Sequence, residues 1–198
     1  ICNLALDLLQ VDDPVTDIDN PSTKTEETGA RWYDTTRKQA LRAHSWNFAI
    51  KRAQLAKDST SPSFGYAAAF NLPTDYIRLM YAAMNDVNTE EIIDPQSYSV
   101  ENNQILIGGI RSVTPDALNI VYTSNFENVP KFDPLFTAYF YTLLAQNIAY
   151  SLSQSNTNIQ RINGLMDQIE SKAKAMDGQE SPPRRIERSR MLSARSRV

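Results

Sequence analysis

Glycine is scarce in this chain, six among 198 residues, and none falls in a spacing that cradles phosphate. Cysteine is scarcer still: Cys2 stands alone, so no internal disulfide can form, which agrees with assembly in a reducing cytosol. There is one histidine, His44. A zinc site or a histidine-based triad would have to draw its other members from elsewhere in the chain, and Cys2 is the sole thiol. No apolar run approaches the ~18–20 residues of a helical membrane span. Charge is not of one sign either. Lys and Arg number 20 against 23 Asp and Glu, a net charge of −3, which excludes a chain that is polycationic throughout. The opening Ile1-Cys2-Asn3-Leu4-Ala5-Leu6 has no basic leader and does not read as a signal peptide; it also lacks an initiator Met.

What is present reads as helices, then strands, then helices. Leu4, Leu8 and Val11 follow helical spacing until Asp12-Asp13-Pro14 stops it. Thr23 and Glu26 have the spacing of a capping box, opening a long helix that runs to about Ser45. Its apolar stripe is thin, Ala30, Tyr33, Ala40 and Leu41, so the helix is expected to face water or polar neighbours rather than bury itself in its own subunit. At Trp46 the period changes: Trp46, Phe48 and Ile50 alternate with Asn47 and Ala49, a strand pattern. Further strands are predicted near Tyr66–Phe70, Tyr76–Met84, Gln104–Ile107 and Leu118–Thr123, with a hairpin turn at Asn102-Asn103. Asp133 and Pro134 then suit the start of a helix, whose wide apolar face carries Phe136, Phe140, Leu144 and Ile148. Asn156-Thr157-Asn158 is expected to break it. Ile159, Ile162, Met166, Ile169, Ala173 and Met176 then form an a/d-type seam, with Gly178 as the stop.

The expected fold is therefore α+β: a four-helix bundle from residues 1–45 and 132–177, a small antiparallel β domain inserted at 46–131, and an extended basic C-terminal arm at 178–198. The last fifteen residues of that arm carry Arg184, Arg185, Arg188, Arg190, Arg195 and Arg197 against Glu187, a local charge of +5, which leaves −8 on the preceding 183 residues of a chain whose total is −3. Its composition cannot bury a core, and it is expected to bind an acidic partner, protein or nucleic acid, or to decorate the surface. Elsewhere the chemistry reads as structural. His44 sits at a helix end, where a C-terminal dipole favours it. The carboxylates Asp12-Asp13, Glu26-Glu27 and Glu90-Glu91 fall in loops or first helical turns, and no catalytic constellation emerges from them.

Several ordered motifs carry a resemblance. They are Asn3-Leu4-Ala5-Leu6; Tyr33-Asp34 with Arg37; Ala40-Leu41-Arg42; Trp46-Asn47-Phe48-Ala49; Lys51-Arg52-Ala53 with Leu55-Ala56; Phe64-Gly65; Leu72-Pro73 with Asp75; Phe132-Asp133-Pro134 with Phe136; and Leu144-Ala145. In order and spacing they resemble the tail tubular protein A family, the head-to-tail adaptors of short-tailed bacteriophages. The likeness covers most of residues 1–175. It departs where family members often end the first helix with Leu-Gly and this chain has Leu9-Gln10, and it does not reach the Arg-rich end.

The resemblance implies a non-enzymatic virion protein without cofactor or metal. It would form a homo-oligomeric ring, usually of twelve copies, between the portal protein and the tail nozzle protein. It would be assembled in the host cytoplasm, have no membrane association, and let DNA pass through its lumen without sequence-specific binding. An acidic body suits such a channel. Under this reading Arg31, Arg37 and Arg42 of the polar helix meet neighbouring subunits. Trp46 and Phe48 anchor the junction of helical and β parts, and the six arginines of the arm contact the portal or a neighbour. Two other classes compete. A DNA-binding protein using the Arg-rich tail would need a recognition helix, and a virion hydrolase would need a buried acid in a cleft; neither feature stands out.

Overall fold

The computed structural model describes residues 1–86, 89–108, 115–152 and 156–180. Among these are four α-helices, α1 (Cys2–Leu9), α2 (Lys24–Ala43), α3 (Pro134–Leu152) and α4 (Asn156–Glu180). There are seven strands, β1 (Ile50–Ala56), β2 (Ala68–Asn71), β3 (Tyr76–Asp86), β4 (Thr89–Ile92), β5 (Tyr98–Glu101), β6 (Gln104–Ile107) and β7 (Ala117–Ser124). The Arg-rich residues 184–198 lie outside the described residues.

The strands form two antiparallel sheets, one in the order β1-β7-β3-β4 and one in the order β2-β6-β5. The inward positions of both converge on one apolar core that includes Leu55, Phe70, Ala82, Ile105, Ile107, Leu118 and Ile120. Alternation along β7 explains this directly: Leu118, Ile120 and Tyr122 point inward opposite Leu55, Ala53 and Lys51. Asn102 and Asn103 both take positive φ, 44° and 59°, and close the β5–β6 hairpin, as expected for a two-residue turn that asparagine tolerates.

The helices do not form the expected four-helix bundle. A bundle needs comparable helices around a shared centre, but α1 has eight residues and α3 has nineteen. Instead α3 is a hub, with α1, α2 and α4 each packed on it. Two apolar clusters are strung along it. Phe136, Tyr139 and Phe140 of its first half pack with Ala40, Leu41, Trp46, Met166 and Ala173. Leu144, Ala145, Ile148 and Ala149 of its second half pack with Ala5, Leu6, Leu9 and Ile162. The physical reason is that α3 is apolar around much of its circumference, so neighbours gather on several sides of it. The fold is mixed α+β, with a helical layer built on one central helix.

Three boundaries differ from expectation. The strand anticipated at Trp46 begins only at Ile50; Asn47–Ala49 is a turn of 3-10 helix. That turn lets Trp46 and Ala49 both be buried, where a period of two would have faced them apart. Asn156-Thr157-Asn158 forms the first turn of α4 rather than a break, and α4 passes through Gly178 to Glu180. The polar α2 also buries a stripe inside its own subunit, made of Thr25, Thr28, Gly29, Thr36, Arg37, Ala40 and Leu41. Its small side chains bring it close to α3, where the Asn147 amide donates to the Thr36 hydroxyl at 2.9 Å.

Candidate functional site

Of the residues singled out by sequence, Arg37, Arg42, Trp46 and Phe48 lie in the C-terminal half of α2 and the turn that follows it. Trp46 is fully buried. Its indole N–H donates to the Ala40 carbonyl at 2.8 Å, so it ties the last turns of α2. Its ring meets Phe136 edge-on at 5.1 Å between centroids and lies 5.8 Å from Tyr139, both on α3. Phe48 continues the stack against Phe126, Phe132 and Phe136, with centroids 4.8–5.6 Å away. Such pairs add about 0.5–1.5 kcal/mol each beyond the area they bury. The Trp46-Asn47-Phe48-Ala49 motif thus joins α2, α3 and the approach to β1.

His44 caps this corner from the other side. It follows the last residue of α2, and its Nε2 lies 2.9 Å from Oδ2 of Asp177 on α4. The other oxygen of Asp177 accepts from the Asn47 backbone N–H at 3.0 Å, and the Asp177 carbonyl accepts from the Asn47 side-chain amide at 2.8 Å. A nearly buried carboxylate at the end of α4 is therefore fully engaged in holding the α2–β1 junction. Sequence reading placed His44 at a helix end but missed Asp177, because their separation of 133 residues leaves no local signal.

The three arginines of α2 have different surroundings. Arg31 is exposed. Arg37 is buried, with its Nη2 donating to Asp34 at 2.6 Å, to Glu127 at 3.0 Å and to Asn125 at 3.2 Å, all within its own chain. Its Nε has no partner among the described residues. Arg42 donates from Nη1 to the Ile77 carbonyl at 2.6 Å. Arg78, which sequence reading passed over, answers it: its Nη1 donates to the Arg42 carbonyl at 3.1 Å and its Nη2 to the Ser45 hydroxyl. The bends in β3 around Tyr76–Tyr81 put Arg78 there, and a bulge is not legible in an alternating pattern. Arg184, Arg185, Arg188, Arg190, Arg195 and Arg197 lie outside the described residues.

A second polar network begins beside Arg37. Lys51 pairs with Asp75 at 2.6 Å, and the Tyr122 hydroxyl donates to the other oxygen of Asp75 at 2.9 Å. Burial opposes ionisation of Asp75, yet Lys51 and Tyr122 together outweigh it and hold its carboxyl below the ordinary range. Burial, then the bond to Asp75, pushes the Tyr122 phenol up to about 12. Lys51 and Asp75 border an open recess of about 400 Å³ with Thr74, Asn125, Phe126, Glu127 and Asn128. Lys51, Asp75, Asn125 and Glu127 are each engaged with a polar neighbour, which suits a structural bracket between β1, β3 and β7.

At the opposite end of α2, Thr23 and Glu26 form the expected capping box. Glu26 goes further than capping. Its carboxylate accepts from the Thr16 hydroxyl at 2.7 Å, the Ser22 amide at 2.8 Å, the Ser22 hydroxyl at 2.9 Å and the Thr16 amide at 3.0 Å. The Thr16 hydroxyl and the Ser22 amide are the main causes that hold its carboxyl far below the usual carboxylate range. The loop between α1 and α2 is thereby fixed on α2. Among the described residues no group of three or more His, Cys, Asp and Glu side chains is arranged to hold a metal ion, and no helix is long and apolar enough to cross a membrane. No protein-family model matches the chain, and no curated protein matches it.

Proposed function

We propose that this protein is a structural head-to-tail adaptor of a short-tailed phage, forming a ring between portal and tail nozzle through which DNA passes. The observation that carries the proposal is the Trp46-Asn47-Phe48-Ala49 corner. The most distinctive of the ordered motifs is also the piece that binds α2, α3, α4 and β1 together through Trp46, Phe48 and Asn47. Residues at such a corner are set by the architecture of the whole chain, so a shared corner supports a shared architecture. The departure at Leu9-Gln10 points the same way: Gln10 has φ 58° and ψ 43°, the left-handed conformation that glycine adopts at a helix end. The polar outer face of α2, with Lys24, Glu27, Arg31, Lys38 and Arg42 exposed, is a surface for polar contact between subunits.

The function so proposed needs no reaction. Its energetics are those of assembly: many copies presenting the same two faces to one another, and a basic arm at residues 184–198 reaching carboxylates on the portal or a neighbour. The test is reconstitution on portal-bearing capsids that lack tails. The full chain should bind them and restore attachment of the nozzle, and a chain truncated after Pro183 should bind more weakly. Failure of the full chain to join such capsids would refute the proposal. Tight, salt-sensitive DNA binding lost with the arm would replace it with the nucleic-acid alternative.

A further inference from the structure

We infer that Arg42 and Arg78 form a carboxylate clamp for a second copy of this chain, and that the acidic loop between α1 and α2 of that copy is what enters it. The inference rests on the ring reading and names the contact that would build the ring. The two guanidinium groups are fixed by reciprocal bonds: Arg42 holds the Ile77 carbonyl beside Arg78, and Arg78 holds the Arg42 carbonyl and Ser45. Neither has a carboxylate oxygen within 4.0 Å among the described residues. The nearby acids are already engaged: Asp34 with Arg37 and Lys38, Asp75 with Lys51, and Asp177 with His44 and Asn47. Each guanidinium is thus anchored on the backbone of the other's element, at the corner where α2 meets β3, with donors to spare that a carboxylate partner can engage.

The same chain carries the complementary surface. Asp12 and Asp13 are exposed, have no ion pair among the described residues, and stand on the loop that Glu26 pins to the first turn of α2. Arg42 stands on the last turn of α2, sixteen residues further on, about 24 Å along the helix axis. That distance is several side-chain lengths, so the two surfaces cannot meet within one subunit. Between subunits they can: each copy offers a basic corner at one end of α2 and an acidic loop at the other. Such a head-to-tail contact is heterologous and closes into a ring when its rotation allows. The net charge of −3 disfavours a polyanion such as DNA as the occupant at long range.

The experiment is a charge swap on the full chain, read by analytical ultracentrifugation at low salt. The parent chain should self-associate. R42E/R78E and D12K/D13K should each weaken that association by ~10–100-fold, since each sets like charges against each other. A mixture of the two variants should associate again, because every contact between unlike copies is then complementary. Recovery on mixing also rules out misfolding as the cause of the loss. If the parent assembles and R42E/R78E assembles equally well, or mixing does not restore association, the clamp is wrong and the ring reading stands. If the parent does not associate at all, alone or on portal, the ring reading fails and the clamp with it. Duplex DNA retained by the parent and lost in R42E/R78E, with self-association unchanged, would assign the arginine pair to phosphate and overturn the inference.

Discussion

α2 and α3 are nearly equal in length, 20 and 19 residues, and lie against each other, yet they are built from opposite materials. α3 buries Phe136, Tyr139, Phe140, Leu144 and Ile148 and is surrounded by the other three helices. α2 buries threonines, a glycine, an alanine, one leucine and an arginine, and exposes a charged face. The stability of α3 comes from apolar area. That of α2 comes from short-range fit and from polar anchors at both ends: Glu26 at the first turn, and Arg37, Arg42 and Trp46 toward the last. A helix fastened this way can present charge to solvent along most of its length without losing its place in the fold. Such a face suits contact with other subunits.

Five substitutions would break or sharpen this contrast. Phe140→Ala and Trp46→Ala should each cost about 3–5 kcal/mol in chemical denaturation, since both rings are fully buried. Trp46 is the more informative of the two, because it also holds the Ala40 carbonyl and so loosens α2 from α3. An unchanged unfolding midpoint for either would remove the basis for treating α3 as the hub. Arg37→Ala should cost less, about 1–3 kcal/mol, because Asp34 and Glu127 are more than half exposed and return to water once the guanidinium is gone. A loss as large as that of Trp46 would show that α2 depends on this polar hub as much as α3 depends on its rings.

Glu26 gives the pH dependence its sign. Its carboxyl is depressed in the folded chain, so the stabilisation is complete above the unfolded value of about 4.3 and is lost as pH falls through the folded value. Glu26→Gln should lower the thermal midpoint at pH 7 and flatten its acid limb, with faster amide exchange at Thr16 and Ser22. A variant with the parent's acid limb would show that the loop is held by something else. The smallest effect is expected at Gln10, where the backbone is left-handed: Gln10→Gly should leave stability unchanged or raise it by up to about 1 kcal/mol. A clear loss there would mean that the Gln10 side chain, whose Oε1 accepts from Asn158 on α4 at 3.2 Å, outweighs the backbone preference.

How much of this was legible in the sequence follows the same division. The apolar periodicity of α3 and the alternation of β7 each point to an element and to its buried face, because burial of bulky side chains leaves a periodic trace. The capping residues Thr23 and Asp133 are local signals too, and Asp133 accepts from the Leu135 and Phe136 amides. Apolar spacing reports that a helix has a buried face but not how many neighbours share it, so it does not distinguish a four-helix bundle from helices gathered on one hub. The buried stripe of α2 is hidden for a related reason: threonine and glycine can pack closely, yet they leave no hydrophobic signature. Asp177 and Arg78 were missed because each meets its partner through a contact 33 or more residues away in sequence. Of the residues expected to meet partners, Arg31 and Arg42 are exposed and Arg37 is buried within its own subunit.

Negative-stain electron microscopy of the purified chain, alone and mixed with isolated portal, tests the proposed assembly most directly. Closed rings of uniform copy number stacked on the portal, with a central opening wide enough for duplex DNA, are the expected result. Particles that remain single subunits in both samples, with portal faces bare, would contradict it.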